Sequence, residues 1–358
     1  MQQAPPIDPT LSASAVTPAD ERAPRVAVAR MQGSRDHMED RHLALVPLAP
    51  LESTHWLSAV FDGHGGAETS EFLERRLVSA LLQTPAWSSY VQLQTATENN
   101  NDAAQTLLLA QTLRETVARL DMTLCRGGTM TTRIGESGST LCVVVIAPTC
   151  ILTANVGDSR AVVVRDATSG GAPPRMVLST IDHKPGIWAE RTRIERSGGY
   201  VAYGRVNGML AMSRSMGDTV YKYPRVFRTL VISTPDVETV RRRPGETYHV
   251  LLGSDGVWDA FPAPAKVSAE QYPAPHSGDA TSPARWTRAA AAIYASSLHA
   301  ANVWNAVVSA SASASASGSG SSTAVATEFL TACAQRVARA QRDNATILLV
   351  HVPPVVAV

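Results

Sequence analysis

The sequence predicts an α+β fold in which a central β-sandwich of two antiparallel sheets is flanked by α-helices. Short apolar runs of strand length recur along the chain, and turn-forming residues end each of them. Two longer stretches, at 67–82 and 103–125, repeat their apolar residues at helical spacing. Several of the strands are separated only by tight turns, which favours antiparallel pairing.

The strands are predicted where apolar residues cluster between turn signals. They cover 25–30, 41–48, 55–62, 139–147, 150–157, 160–166, 248–256 and 345–352. Short turns join the three strands between 139 and 166, so we expect these strands to form a meander of antiparallel neighbours.

Two further elements are predicted from local composition. A short helix is expected at 187–197, because Gly198 and Gly199 supply the left-handed residues that end many helices. The polar, Asn-rich stretch at 84–102 is predicted to be a loop.

The chain is predicted to hold one folded domain, at 25–352, between a disordered tail at 1–24 and a C-terminal tail at 353–358. Residues 309–323 contain only Ser, Ala, Gly and Thr, so they cannot bury enough apolar area to offset the loss of chain entropy on folding. We predict a flexible insertion there, between two helices at about 283–306 and 324–340.

Composition excludes several classes of protein. The 358 residues carry a net charge of +1, with 44% hydrophobic residues, which suits a globular core and gives no reason to expect nucleic acid as a partner. No apolar run reaches the roughly 18 residues that a membrane helix needs, and no signal peptide is apparent. We therefore expect a cytoplasmic or nuclear monomer whose four cysteines are free thiols.

Acidic residues recur at the ends of the predicted strands. These residues are Glu39, Asp40, Asp62, Asp158, Asp255, Asp259 and Asp343. Carboxylates in such positions are costly unless they are paired or bind a cation. Their hard oxygen atoms suit Mg²⁺ or Mn²⁺. One Asp-Gly pair is weak evidence, but three acids that each adjoin a strand favour a metal site.

Two other side chains have more than one interpretation. His64, beside Asp62, is either a hydrogen-bonding turn histidine or a proton donor. Arg35 could offer a bidentate guanidinium to phosphate, or it could pair with a nearby acidic residue. His183, in the DHKP sequence, is interpreted as structural. The sequence lacks GxSxG, HExxH and GxxxxGK[ST] motifs, which disfavours other nucleophile and nucleotide sites.

Taken together, the motifs resemble those of the metal-dependent type 2C serine/threonine protein phosphatases. The matching blocks, in family order, are MQGSRDHMED (31–40), VFDGHGG (60–66), SGST (137–140), ANVGDSRAV (154–162), DHKP (182–185), ERTRIERSGGYV (190–201), RVNGMLAMSRSMGD (205–218), SDGVWDAF (254–261) and DNATILLV (343–350). They span nearly all of the predicted domain and are highly specific as a set. The family fold is the same sandwich of two antiparallel sheets flanked by helices.

The resemblance implies a binuclear Mg²⁺ or Mn²⁺ centre and, alongside it, a third, weaker site. Asp62 would bridge the two ions, with the Gly63 carbonyl on one of them. Asp255 and Asp343 would complete the protein ligands of the other ion. The remaining ligand positions would be Glu39 and Asp40 through water, Asp158 at the third site, and Asn344 as a support for Asp343.

The resemblance also implies the activity. The substrates would be phosphoserine and phosphothreonine in phosphoproteins, hydrolysed by direct attack of a metal-activated water. Arg35 would hold the phosphate, and His64 would protonate the leaving oxygen. Two alternatives are disfavoured by the sequence. Another metallohydrolase would bring histidine ligands or a basic groove, and neither is apparent. A catalytically dead scaffold would lack Asp62, Asp255 or Asp343, and all three are present.

Overall fold

The structure is a computed structural model, and it describes residues 12–16, 23–95, 102–127, 137–166, 175–222, 229–259 and 343–355. The helices predicted at 283–306 and 324–340 and the insertion predicted at 309–323 lie outside the described residues. The strands, numbered in chain order, are β1 (Ser12–Val16), β2 (Arg25–Met31), β3 (Arg41–Pro47), β4 (Trp56–Phe61), β5 (Gly63–His64), β6 (Gly138–Ser139), β7 (Leu141–Ile146), β8 (Cys150–Val156), β9 (Arg160–Asp166), β10 (Arg175–Ser179), β11 (Val201–Ala202), β12 (Arg205–Val206), β13 (Met216–Gly217), β14 (Asp236–Arg241), β15 (Thr247–Gly253) and β16 (Ala345–Val352). The helices are α1 (Glu68–Leu82), α2 (Pro85–Thr95), α3 (Asp102–Gly127), α4 (Trp188–Arg196) and α5 (Asp255–Trp258).

Two antiparallel sheets form the body of the described residues. One sheet has six strands in the order β1-β2-β16-β15-β9-β10, and the other has five in the order β14-β8-β7-β4-β3. Buried side chains from both sheets, including Val28, Val144, Val250 and Leu348, meet in one apolar core. The predicted α+β sandwich is confirmed.

Helices α1 and α3 cover the outer face of the five-stranded sheet. Leu73 and Leu77 on α1 and Leu113 and Val117 on α3 recur at helical spacing and are buried in a second core against that sheet. Each buried leucine contributes roughly 1.5–3 kcal/mol relative to an exposed one. This packing fixes β4, the strand that leads into the FDGHGG motif.

The stretch predicted to be a polar loop contains helix α2, so that prediction is wrong. Pro85 begins the helix, a position where its missing N–H costs nothing. Trp87 and Tyr90 are buried and stack with ring centroids 5.6 Å apart, and the Tyr90 hydroxyl lies 2.7 Å from Nε2 of His55. These aromatic contacts, rather than helical periodicity, hold the segment to the domain.

The chain changes sheet between β8 and β9. Strand β8 pairs with β7 and β14, whereas β9 pairs with β15 and β10 in the other sheet. The meander prediction is therefore right for 139–157 and wrong for the third strand. At the turn, Gly157 has a φ of +101°, and a Cβ there would lie 2.6 Å from Thr140 Cγ2. The turn therefore places Asp158 where the chain passes from one sheet to the other.

Helix α4 ends at Arg196, and Gly198 just after it has a φ of +80°, the left-handed conformation that the sequence predicts there. Strand β1 lies within the predicted disordered tail and pairs with β2. The otherwise unpaired backbone groups along the edge of β2 explain why a strand forms there. None of the helices in the described ranges combines the length and hydropathy needed to cross a bilayer.

Candidate metal centre

Asp62 lies between β4 and the short strand β5, where two backbone contacts fix it. Its N–H donates to Thr140 Oγ1 at 3.0 Å, and the N–H of Thr140 donates to the Asp62 carbonyl at 2.9 Å. The buried strand before it and the Thr140 contacts after it leave the carboxylate little freedom. Asp62 therefore has a defined position at the end of the five-stranded sheet.

Two glycines in the motifs allow close approach of neighbouring segments. A Cβ on Gly63 would lie 2.6 Å from the Glu39 carbonyl oxygen, and a Cβ on Gly256 would lie 2.1 Å from the Asn344 carbonyl oxygen. Neither glycine has a positive φ. Their role is therefore to let the acidic segments touch, rather than to permit an unusual backbone turn.

Asp40 is fully buried at the start of β3. Its Oδ2 accepts a hydrogen bond from Ser254 Oγ at 2.8 Å, and its Oδ1 has no partner in the described part of the chain. Burial raises the pKa of Asp40 to about 6, although the nearby hydroxyls of Thr346 and Ser254 act in the opposite direction. An acceptor oxygen left without a donor in a buried site is a feature that a cation or its water would satisfy.

Glu39 is joined to Asn344 across the site. The Glu39 N–H donates to Asn344 Oδ1 at 2.8 Å, while Glu39 Oε1 accepts from the N–H of Gly66 at 2.9 Å. The backbone N–H of Asn344 donates to Asp343 Oδ1 at 2.9 Å, and its side-chain amide donates to the carbonyls of Gln32 and His37. The Asn344 backbone thus contacts the Asp343 carboxylate, while the Asn344 side chain holds the 32–39 segment.

Asp255 begins α5, next to Asp62. Its N–H lies 3.5 Å from Asp62 Oδ2. Burial and then the negative charge of Asp255 raise the pKa of Asp62 well above its usual range, with Asp40, Asp158 and Asp343 adding to the effect. Burial and Asp158 likewise raise the pKa of Asp255. The carboxylates are therefore close enough for their charges to oppose one another.

Two cationic side chains lie among these carboxylates. Lys184 forms an ion pair with Oδ2 of buried Asp158, whose Oδ1 has no partner within the described residues. Arg35 Nη2 lies 2.6 Å from Asp343 Oδ2. Each pair offsets part of the negative charge, but Asp62 and Asp255 keep no lysine or arginine within ion-pair distance in the described ranges.

The donor set fits a hard divalent cation. The acids present only oxygen atoms, which is the preference of Mg²⁺ and Mn²⁺. Buried acceptor oxygens without partners on Asp40 and Asp158 point to the same chemistry. As the side chains stand, no three His, Cys, Asp or Glu groups in the described parts of the chain surround one point. Asp40, Asp158, Asp255 and Asp343 are near enough to raise the pKa of Asp62, but the carboxylates in the described ranges do not surround a common point.

His64 lies in the same site, on β5. Its Nε2 donates to Asp218 Oδ2 at 2.8 Å, and its Nδ1 has no partner among the described residues. Burial opposes protonation, but the hydrogen bond and charge of Asp218 outweigh it, so the pKa of His64 is raised above its usual 6.5. A raised pKa favours the charged imidazole, and a charged imidazole can act as a proton donor.

Sequence reasoning missed Lys184 and Asp218 as parts of the site. Both lie in blocks that match the family, DHKP and RVNGMLAMSRSMGD, yet their contacts are 26 and 154 residues away along the chain. No local sequence pattern indicates contacts between residues so far apart in the chain. Arg35 and Asp343 show the same limitation, because their pairing joins residues 308 positions apart.

Comparison with known proteins gives a consistent result. The family model "Protein phosphatase 2C" matches residues 25–268. A bovine protein phosphatase 1L is 38% identical over 243 residues, which cover 66% of this chain and 60% of that protein. Protein phosphatase 2C 1 of Paramecium tetraurelia is 34% identical over 247 residues, covering 66% of this chain and 73% of that protein.

A solved structure supports the same fold. The crystal structure of serine-threonine phosphatase 2C from Toxoplasma gondii superposes with a TM-score of 0.68, covering 96% of this chain and 99% of that chain at 23% identity. The match to the family model stops at residue 268, but the structure places β16 within the six-stranded sheet and Asp343 beside Arg35. The chain belongs to the protein phosphatase 2C family, and it is a phosphate-ester hydrolase of that family.

Proposed function

We propose that the chain removes phosphate from phosphoserine and phosphothreonine in proteins at a centre of two Mg²⁺ or Mn²⁺ ions. The observation that carries this proposal is the convergence of Asp62 and Asp255 with three further acids at the ends of strands from both sheets. So much negative charge in a partly buried site is costly without a cation. Membership of the protein phosphatase 2C family supports the same class of reaction.

The metal ligands would come from four separate segments. Asp62 and the Gly63 carbonyl would hold one side of the centre, and Asp255 and Asp343 would hold the other. Glu39 and Asp40 would orient water. When bound, the ions would lower the pKa of a water that attacks phosphorus and would neutralise charge on the phosphoryl oxygens.

A third, weaker site is proposed at Asp158 and Asp255. Lys184 already forms an ion pair with Asp158, so a cation at that site would compete with the lysine ammonium. This competition gives a physical reason for weak binding there. Lys184 also compensates the negative charge of Asp158 when no third ion is bound.

The substrate phosphate would be held by Arg35. Its planar guanidinium can donate two parallel hydrogen bonds to phosphate oxygens, which fixes both position and orientation. The Arg35 side chain is 56% exposed, so it can reach an incoming substrate. Its partner Asp343 would be compensated by the metal once Arg35 turns to the phosphate.

His64 would supply the proton for the leaving oxygen. Serine and threonine leave as alkoxides, which are poor leaving groups, and phosphate monoester hydrolysis is among the slowest uncatalysed reactions. A positioned acid typically contributes about 10²–10⁴-fold to such a step. Asp218 favours the charged imidazole that this role requires.

Metal removal and replacement test the proposal. Purified protein is assayed for phosphate release from a phosphothreonine peptide, first in EDTA and then after addition of excess Mg²⁺ or Mn²⁺. We expect no turnover in EDTA and recovery with either ion. A phosphotyrosine peptide of the same sequence serves as the substrate control and should be a much poorer substrate. Full activity in EDTA would refute the metal-dependent mechanism.

A further inference from the structure

We propose that Asp218 is the positioning residue for His64. In this proposal Asp218 holds Nε2 of the imidazole, and Nδ1 carries the proton that the leaving oxygen receives. As water forms a bond to phosphorus, the bond to the serine or threonine oxygen breaks, and that oxygen takes the Nδ1 proton. The inference rests on the proposed function of His64 and extends it to a residue 154 positions away.

Asp218 is buried and is itself held on several sides. Ser215 Oγ donates to Asp218 Oδ2 at 2.5 Å, the same oxygen that faces His64. The Asp218 N–H donates to the Ser137 carbonyl at 3.1 Å. Asp218 also has a φ of 47°, a left-handed conformation that few residues other than glycine adopt without cost. The surrounding contacts maintain this conformation, and they aim the carboxylate at His64.

Gly138 on β6 makes room for the hydrogen bond. A Cβ at this position would lie 2.3 Å from both His64 Nε2 and Asp218 Oδ2. Strand β6 pairs with β5, which carries His64, and with β13, which leads into Asp218. Strands β5, β6 and β13 therefore form a small sheet. Its middle strand, β6, has a glycine at the point where His64 and Asp218 meet.

Helix α3 fixes the turn that carries Asp218. The carboxylate of Asp121 accepts the Gly217 N–H at 3.0 Å and pairs with Lys222 at 2.7 Å. Lys222 also donates to the Ser215 carbonyl at 2.6 Å. The side chains of Asp121 and Lys222 are 11% and 5% exposed, so the ion pair is largely shielded from solvent. This second anchor keeps the 215–222 turn in place.

A second histidine–aspartate pair in the domain shows the contrast. His183 Nε2 lies 3.1 Å from Asp236 Oδ2, and its Nδ1 accepts the N–H of Gly157 at 3.0 Å. Both nitrogens of His183 are therefore occupied by the protein, as expected for a structural residue. His64 differs because only Nε2 is occupied within the described residues.

The test compares two substrates that differ in leaving group. A phosphothreonine peptide needs an acid at the leaving oxygen, whereas p-nitrophenyl phosphate releases a stable phenolate and needs it far less. For Asp218→Asn, we expect kcat on the peptide to fall at least about tenfold, with a clearly smaller fall on the aryl phosphate. Ser215→Ala keeps the carboxylate and should give a weaker effect of the same kind. Asp236→Asn is the matched control and should affect both substrates equally.

A double variant and a spectroscopic signal complete the experiment. Adding Asp218→Asn to His64→Gln should lower peptide turnover no further, because the two residues act as a unit. Proton NMR of the Mg²⁺-loaded protein should show an imidazole Nε2 proton signal of His64 that disappears in Asp218→Asn. Equal losses on both substrates, or additive losses in the double variant, would overturn the proposal. If the wild-type protein hydrolyses neither substrate, the proposed function fails, while the NMR signal still tests the hydrogen bond.

Discussion

The Nη2 atom of Arg35 lies 2.6 Å from Oδ2 of Asp343, although 308 residues separate them in the sequence. The contact joins the residue proposed to hold the substrate phosphate to a proposed metal ligand. Both side chains are partly exposed, at 56% and 34%. The pair can therefore open without burying an uncompensated charge, which suits an arginine that changes partner when substrate arrives.

Replacing Arg35 should weaken substrate binding more than stability. For Arg35→Ala, we expect the KM for a phosphothreonine peptide to rise about tenfold or more, because a charge-assisted pair of hydrogen bonds is lost. Arg35→Lys should recover only part of this, since lysine lacks the planar fork. The melting temperature should change little, as exposed ion pairs contribute little to stability. Arg75→Ala, which removes another exposed arginine, is the control. An unchanged KM would contradict the phosphate-binding role.

Asp62→Asn should abolish turnover and yet stabilise the metal-free protein. The amide removes a negative charge from a partly buried position that four other carboxylates crowd. In EDTA, we expect the variant to unfold at a higher temperature than the wild type. Steady-state assays with Mg²⁺ and thermal unfolding in EDTA measure the two effects. A metal-free variant that melts below the wild type would show that the charge crowding is not destabilising.

Divalent cations should raise the melting temperature of the wild-type protein. A ligand that binds only the folded state stabilises it by about 2.7 kcal/mol at 100 times its Kd. We expect Mg²⁺ and Mn²⁺ to produce this shift, and Asp255→Asn to reduce it. Thermal unfolding across a metal titration gives the affinity independently of activity. Na⁺ at matched ionic strength is the control, and an equal shift with Na⁺ would indicate screening alone.

Glu190 should stabilise the domain at neutral pH and lose this effect in acid. Burial acts against its charge, but hydrogen bonds from Arg214 and Arg193 lower the pKa of Glu190 to about 2. Because the folded-state pKa lies below the usual 4.5, the stabilisation is full above pH 4.5 and is lost as the pH falls through 2. The shift corresponds to about 3 kcal/mol at most.

The variant Glu190→Gln measures this contribution. Urea unfolding at pH 7 should show a lower free energy of unfolding than the wild type, and the difference should shrink progressively below pH 4.5. Glu195→Gln, which removes an exposed carboxylate from the same helix, should have little effect at any pH. A difference that stays constant from pH 7 to pH 3 would exclude the ion pairs as its source.

Elements with a strong periodic pattern were predictable from the sequence. Strand β16 matches its predicted range of 345–352, and helix α1 differs from its prediction by one residue at one end. Helix α2 escaped prediction because its anchors, Trp87 and Tyr90 among them, act through tertiary contacts such as those with His55. The third strand of the predicted meander, β9, was equally unpredictable, since a short turn has the same sequence pattern whether or not the chain changes sheet.

The acidic residues of the candidate centre were identified from strand ends and glycines, but their arrangement was not. The pattern places Asp62 after a strand without showing which acids face it. Gly63 and Gly256 allow neighbouring segments to touch, which the sequence around each glycine does not show. Asp218 could have been suspected from its position after a glycine in a matched motif, yet only the structure shows that it faces His64.

The position of β16 in the six-stranded sheet determines when this protein can acquire its fold during synthesis. The strand lies between β2 and β15, so it joins the first long strand of the domain to a strand made more than 200 residues later. A nascent chain that has not yet reached residue 343 lacks both Asp343 and the strand that connects the two halves of that sheet. A ribosome stalled earlier, or a nonsense codon before this point, should therefore yield a chain recognised by chaperones and proteases rather than a folded but inactive enzyme.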